Sequence, residues 1–408
     1  MSLAGQYLLQ PGGNPSIVGS RPVMGGARLG RLLRGQQGDS VVKTLGNVLT
    51  LCAHAQRRTA RMALWAAEQQ EPTQVAPEST RSLQLETARD HLRSMALDWP
   101  QRQTQSLQPA QLKWLSSCQF PLVTPPRALS PDEVTAQQLQ MQAWLESRVL
   151  CMPLGGWSSE RSAPCPPACG LLLLPAQNAL TPSLLTQWLA QYRDETAFAG
   201  WCKDNADHAT PLQCLAQWSA TAQALQPGTR TLDVIDTDPD RQAANLRAIA
   251  TALAADPDFA LRPQWQGACA ETGVWSRLRQ RQAAPAITSA WSRLQARWFE
   301  LLELISAPTE PPATLLSSGA LPLGDGQAIA WCEMARGLLL HWVQLDEQHC
   351  VQDYRVLAPT EWNFHPDGAL AQALTQLDPT DAAAAWCLTS AYDPCVQCSV
   401  NIQEIRHA

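Results

Sequence analysis

Charge is what this sequence has least of. Asp, Glu, Lys and Arg together make up 16% of 408 residues, well below the ~25% usual in soluble domains. Lys and Arg number 30 against 36 Asp and Glu, a formal charge of -6, and no basic stripe stands out, which argues against a nucleic-acid partner. Long apolar runs are missing too. The run Leu171 to Leu174 with its flanks falls far short of the ~20 residues of a membrane-spanning helix. The opening residues, MSLAGQYLLQPGGN, lack a charged segment followed by an apolar one, and Arg57-Arg58 lies too deep for an export signal. The expected location is therefore cytoplasmic. No internal repeat of fixed period is present. What remains is a chain that is 45% hydrophobic, with 16 tryptophans and 13 cysteines. Its length permits a sizeable core. An odd number of cysteines in a reducing compartment points to buried thiols and a metal or redox site, not to a disulfide framework.

Helix signals dominate the first three quarters. Ser130-Pro131-Asp132-Glu133 reads as a capping box with Pro at the first helical position, opening a helix to about Leu150. Thr181-Pro182, Thr210-Pro211 and Asp238-Pro239 repeat the device. Asp39-Ser40 opens a helix to about Gln70 whose apolar stripe runs through Val41, Leu45, Val48, Leu49, Cys52, Ala55 and Met62, and which carries His54. Residues 286 to 305 form another amphipathic helix, followed by a Pro/Gly-rich connection, SAPTEPPATLLSSGALPLGDG. From Gln327 to Leu357 the pattern changes to three short strands, predicting a small antiparallel sheet. Pro359 to Gly368 reads as an irregular loop, residues 369 to 377 and 380 to 390 as helices, and Asp393-Pro394 as the stop before Cys395. Residues 155 to 170, GGWSSERSAPCPPACG, read as a loop because their prolines and glycines sustain neither regular element.

Chemistry is concentrated in Asp393-Pro394-Cys395-Val396-Gln397-Cys398, where two thiols three apart on a turn can converge on one metal or form a redox pair. A closed zinc site needs a second pair of ligands, and Cys165 and Cys169 are poorly spaced for it. The context of the pair is more specific than its spacing. Glu333-Met334-Ala335-Arg336-Gly337-Leu338-Leu339-Leu340-His341, Pro359-Thr360-Glu361-Trp362-Asn363 and Asp393 to Cys398 occur in that order. Together they resemble the Glu-x-x-Arg-Gly-x-x-x-His, Pro-(Ser/Thr)-x-Trp-Asn and Asp-Pro-Cys-x-x-Cys segments of the large subunit of nickel-iron hydrogenases. The resemblance is strong over residues 324–400 and weaker over residues 40–65.

In that family two CxxC motifs hold nickel and an iron carrying two cyanides and one carbonyl. Laid on Leu45 to His54, the N-terminal motif finds its histidine at His54, but Asn47 and Thr50 stand at the two cysteine positions. Half of the nickel thiolates are thus replaced. Cys52 lies two residues further on, about 200° round a regular helix. The glutamate motif used for proton relay finds no match, and the family's cleavage-site histidine falls on Asn401, with seven residues after it. What the resemblance keeps is an iron-ligand cradle. Cys395 and Cys398 would supply soft thiolates, Arg336 its guanidinium N–H groups to one cyanide, Thr360 its hydroxyl to the other, and Pro359 with Leu357 an apolar wall for the carbonyl, with His54 acting from behind the ligands. Without the resemblance, Arg336 reads as an ion-pair partner, Thr360 and Asn363 as helix caps, Trp362 as core, His54 as a hydrogen-bonded core histidine and His341 as strand packing.

The chain is therefore identified as similar to the HoxV/HupK type of hydrogenase expression and formation proteins, accessory relatives of the large subunit. The resemblance implies one hydrogenase-large-subunit-like unit over residues 1–408, mainly α with a small antiparallel β-sheet (α+β), built as a helical bundle. It implies a scaffold and not an enzyme, transiently carrying an Fe(CN)2(CO) fragment without nickel. Its partners would be the large-subunit precursor and an iron-cyanide assembly complex of HypC/HypD-type proteins. A zinc-binding or thiol redox protein is the alternative, and a working hydrogenase large subunit is disfavoured by the replaced cysteines.

Overall fold

The computed structural model describes residues 5–21, 28–69, 80–104, 108–123, 129–150, 188, 191, 194–228, 230–281, 288–306 and 315–402. The 155–170 loop with Cys165 and Cys169, and the helix start at Thr181-Pro182, lie outside them. Within them the chain is mainly helical with two small sheets, the α+β class expected.

Strands β1 (Gln6–Leu9) and β2 (Ile17–Ser20) form a hairpin near the N-terminus. A four-stranded antiparallel sheet follows late in the chain, made of β3 (Ser318–Gly324), β4 (Gln327–Met334), β5 (Gly337–Leu345) and β6 (Val351–Leu357) in sequential order. Strand β7 (Gln397–Val400) pairs parallel to β1, giving the order β2-β1-β7. The two ends of the chain are thus hydrogen-bonded side by side.

Strands β4 and β5 of the four-stranded sheet are buried on both faces, and their side chains divide by the period of two that a strand imposes. Ala328, Ala330, Cys332 and Met334 join the large core, while Ile329 and Trp331 join a second one with Leu338, Leu340 and Trp342. The helix Ala53–Ala67 packs against β3, β4 and β5, and the helix Pro239–Ala255 packs against β3 and β4. Covering both faces explains why β4 and β5 read as nearly continuous apolar runs. On the helical side, Trp188, Phe198, Trp201, Trp291, Trp298 and Phe299 pack against one another in edge-on and tilted pairs. Each such ring, fully buried, stabilises by roughly 1.5–3 kcal/mol, and the helix Ala290–Ser306 that carries three of them packs against Thr80–Arg93 and Ala382–Tyr392.

Several expectations hold. Ser130 Oγ accepts from the Glu133 N–H and Glu133 from the Ser130 N–H, opening the helix Pro131–Trp144 with a wider turn through Val149. Asp238 caps Pro239–Ala255 as expected, whereas Thr210 is itself helical and Ala209 holds the cap position. Others need correction. The single helix from Asp39 to Gln70 is two, Gly38–Val48 and Ala53–Ala67, separated by a 3-10 turn at Thr50–Cys52. The break is made at long range, because the Glu86 carboxylate accepts the backbone N–H groups of His54 and Ala55 at 2.8 Å each and so starts the second helix afresh. The Pro/Gly-rich connection contains β3, an edge strand on which Pro322 is tolerated beside a register shift. The loop expected at Pro359–Gly368 begins as a short helix, Pro359–Asn363, with Pro at its first turn.

Candidate site around Cys395 and Arg336

Helix Ala382–Tyr392 ends at Asp393, whose left-handed backbone (φ 47) turns the chain sharply before Cys395. From there Cys395 is half-buried and reaches Thr360, whose Oγ1 lies 3.0 Å from its Sγ. Either atom can be the donor in this contact. Cys398 follows on β7 opposite Tyr7. Burial pushes its thiol up to about 12, so it keeps its proton at neutral pH until a metal displaces it. Pro359 and Leu357 are buried beside Thr360 in sequence.

Arg336 occupies the two-residue turn between β4 and β5, since Met334 pairs with Gly337 across it. Gly337 has φ 133, and a Cβ there would meet Thr272 Cγ2 at 2.6 Å, so only glycine fits. The turn is held from outside the hairpin. Thr272 Oγ1 accepts from the Leu338 N–H, Asn363 Oδ1 accepts from the Thr272 N–H, Asn363 Nδ2 donates to the Arg336 carbonyl, and Arg277 Nη1 donates to the Met334 carbonyl. Asn363 therefore braces the turn and is not a cap.

The Arg336 guanidinium points inward, only 2% exposed. Nη1 donates to Asp90 Oδ2 at 2.8 Å, and Nε lies 3.4 Å from Asp393 Oδ2. Asp393 also accepts from Arg297 Nη2 at 2.7 Å and from Ser94 Oγ at 2.6 Å. Ser94 opens the π-turn Ser94–Asp98 that interrupts the helical run from Thr80 to Thr104, a local widening of the kind often found where function needs a side chain re-aimed. Burial works against ionisation of Asp393, but Arg297 and Arg336 outweigh it and hold the carboxyl well below the usual range. Burial likewise disfavours the Arg336 charge, and Asp90, Asp393 and Cys395 more than offset it. Two donors are left over: Nε, held only by its ion pair with Asp393, and Nη2 of Arg336 are buried with no hydrogen-bond partner. An unmade bond on a buried guanidinium costs about 1–3 kcal/mol, which makes it a place for a ligand with an acceptor atom.

Cys52, buried just past the helix break, also faces this group. Burial, then the charge of Cys395, pushes its thiol up to about 12. The irregular backbone there (φ -127, ψ 43) removes the regular 200° displacement expected on an unbroken helix. His54 lies at the start of the second helix, its backbone N–H donating to Glu86. Burial first, then Arg57, Arg58 and Arg61, push its pKa down to about 3, and its Nε2 is buried without a partner. His341 is more than strand packing: its Nδ1 contacts Tyr354 Oη at 2.7 Å and its Nε2 contacts Gln56 Oε1 at 2.9 Å, while Gln56 Nε2 donates to Cys52 Sγ at 3.5 Å. Cys350, next to His349, accepts from Gln37 Nε2.

Sequence reasoning found Arg336, Thr360, Cys395 and Cys398 but missed Asp90, which carries no motif signal. Among the described residues no group of three or more His, Cys, Asp or Glu is gathered as for a metal ion, so a closed four-ligand zinc centre is not assembled there. The described part of the site offers two thiols, the unpaired guanidinium N–H groups of Arg336 and one hydroxyl to an incoming ligand. That set suits a low-coordinate soft metal whose remaining ligands are themselves hydrogen-bond acceptors.

The family model for nickel-dependent hydrogenases matches residues 271–401. The hydrogenase expression/formation protein HoxV of Cupriavidus necator is 34% identical over 99% of this chain and 97% of its own length. The hydrogenase expression/formation protein HupK of Bradyrhizobium diazoefficiens is 32% identical over 56% of this chain and 64% of its own. A crystal structure of an NAD+-reducing [NiFe]-hydrogenase in the H2-reduced state aligns with TM-score 0.45 and 15% identity, over 93% of this chain and 90% of that one.

Proposed function

The chain belongs to the HoxV/HupK family of hydrogenase expression/formation proteins, and from that premise we propose that it is a maturation scaffold carrying an Fe(CN)2(CO) fragment as cargo. Cys395 and Cys398 are the iron ligands. Arg336 Nη2 and the Thr360 hydroxyl donate to the cyanide nitrogens, and Pro359 with Leu357 forms the wall against the carbonyl. An iron-cyanide assembly complex of the HypC/HypD type delivers the fragment, and the large-subunit precursor receives it. The protein exchanges ligands with these partners and turns over no substrate.

The observation that carries this reading is the unpaired Nη2 of Arg336 in a guanidinium otherwise pinned by Asp90 and Asp393. A surface ion-pair arginine would lie in solvent, whereas this one is buried between two carboxylates. Asn47 and Thr50, standing where the enzymes have cysteines, fit the same reading, because a carrier with fewer thiolates holds its cargo releasably and does not complete a nickel site. His54 acts from behind the ligands. Its place is in the second helix start, under Glu86. Replacing Cys395 or Cys398 by Ser is expected to abolish support of hydrogenase maturation while leaving the circular dichroism and the melting temperature close to wild type. Full maturation with both variants would remove the carrier role.

A further inference from the structure

We propose that Arg21 is a further cargo-binding residue, a second guanidinium that donates its Nε–H to one of the cyanide ligands beside Cys395. The proposal rests on the carrier reading and extends it to a residue that no motif marks.

Three observations bring Arg21 to the site. The register of the terminal sheet pairs Gln6 with Ser20 on one side and with Gln397 on the other, so Arg21 and the Cys395-Val396 segment leave the same end of the sheet. With strands ~4.8 Å apart, two strand spacings separate them at that point. Next, adjacent residues of one short helix hold both: Thr360 contacts Cys395 at 3.0 Å, and Glu361 accepts from Arg21. Finally, burial works against the charge on Arg21, and Cys395, ahead of Glu361, is the group that most favours it. Cys395 therefore lies within electrostatic reach of the guanidinium.

The hydrogen bonding of Arg21 is one-sided. Nη1 alone spans both Glu361 oxygens, at 3.2 and 3.3 Å, and Nε is buried with no partner. A purely structural pair would present the fork, two nitrogens to two oxygens. Holding the carboxylate through one nitrogen leaves the Nε edge free, as Asp90 and Asp393 leave Nη2 of Arg336 free. Two buried guanidiniums with unpaired N–H groups match a metal fragment carrying two anionic, acceptor-terminated ligands better than a bare cation, which both positive charges would repel.

The test is infrared spectroscopy with iron analysis on wild type, R21K and the double variant R21Q/E361Q, each purified anaerobically from cells making the iron-cyanide machinery. The double variant removes both buried charges, so neither is left unpaired. Both variants are expected to keep the wild-type circular dichroism, to lose about tenfold in iron retained through dialysis, as for a charged hydrogen bond, and to shift one cyanide band while the other stays. Wild type with bands and both variants unchanged in band position and iron content overturns the role of Arg21 and leaves the carrier reading standing. Wild type without bands overturns both.

Discussion

Asp393 is the residue on which the candidate site turns, and Asp393→Asn isolates its charge. Asn accepts the left-handed backbone at this position nearly as well as Asp, so the turn before Cys395 survives. What is lost is the negative charge that accepts from Arg297 and Ser94 and lies against Arg336 Nε. Two buried guanidiniums, each 4% exposed or less at the side chain, are left to repel one another. Removing one partner of such a buried pair costs about 3–5 kcal/mol. For a chain of this size, with an unfolding entropy of roughly 0.9 kcal/mol per kelvin, the melting temperature should fall about 4–6 °C. The pH dependence follows from the depressed carboxyl. Its stabilisation is fully present above the unfolded value of 3.8 and is lost as pH falls below it, so the gap between wild type and variant should narrow below about pH 4. Urea unfolding of both proteins at pH 7, and acid titration of both by circular dichroism, would measure this. A loss below about 1 kcal/mol at pH 7, or a gap that does not change with acid, would refute the buried charge network.

Other outcomes follow from the same structure. His341 and His54 are both held neutral by burial, with pKa values near 3 against 6.5 unfolded. Their stabilisation is present above pH 6.5 and falls by about 1.4 kcal/mol per unit for each below it, so H54Q/H341Q should unfold in urea with a smaller loss between pH 7 and 5 than wild type; equal losses would count against it. G337A forces a Cβ into Thr272 and should cost about 1–3 kcal/mol, read by urea midpoint, and a cost near zero would contradict the turn geometry. R336K keeps the charge but cannot serve Asp90, Asp393 and a ligand at once; iron retained through dialysis should drop about tenfold, and undiminished iron would sink the assignment of Nη2.

The sequence disclosed those parts of the molecule whose determinants are local. Ser130 and Glu133 sit three apart, and β4 to β6 keep strand patterning between polar turns, so both were readable. The helix break at Leu49–Cys52 was not, because the carboxylate that makes it belongs to Glu86, some thirty positions away. The terminal sheet escaped for the same reason: four-residue strands carry little period, and β1 finds β7 almost a whole chain length away. At the site, Arg336, Thr360 and the cysteine pair are carried by ordered motifs. Arg21, Asp90 and Glu361 are isolated letters whose meaning comes only from the fold that brings strand end, helix and turn together.

The most direct test of the central claim is infrared spectroscopy of the wild-type protein, purified without oxygen from cells that also make the iron-cyanide machinery, with metal analysis on the same sample. Two cyanide bands and one carbonyl band, with iron and no nickel, are the expected result. A spectrum empty of those bands, with stoichiometric zinc, would contradict the carrier reading and assign Cys395 and Cys398 a structural or redox role.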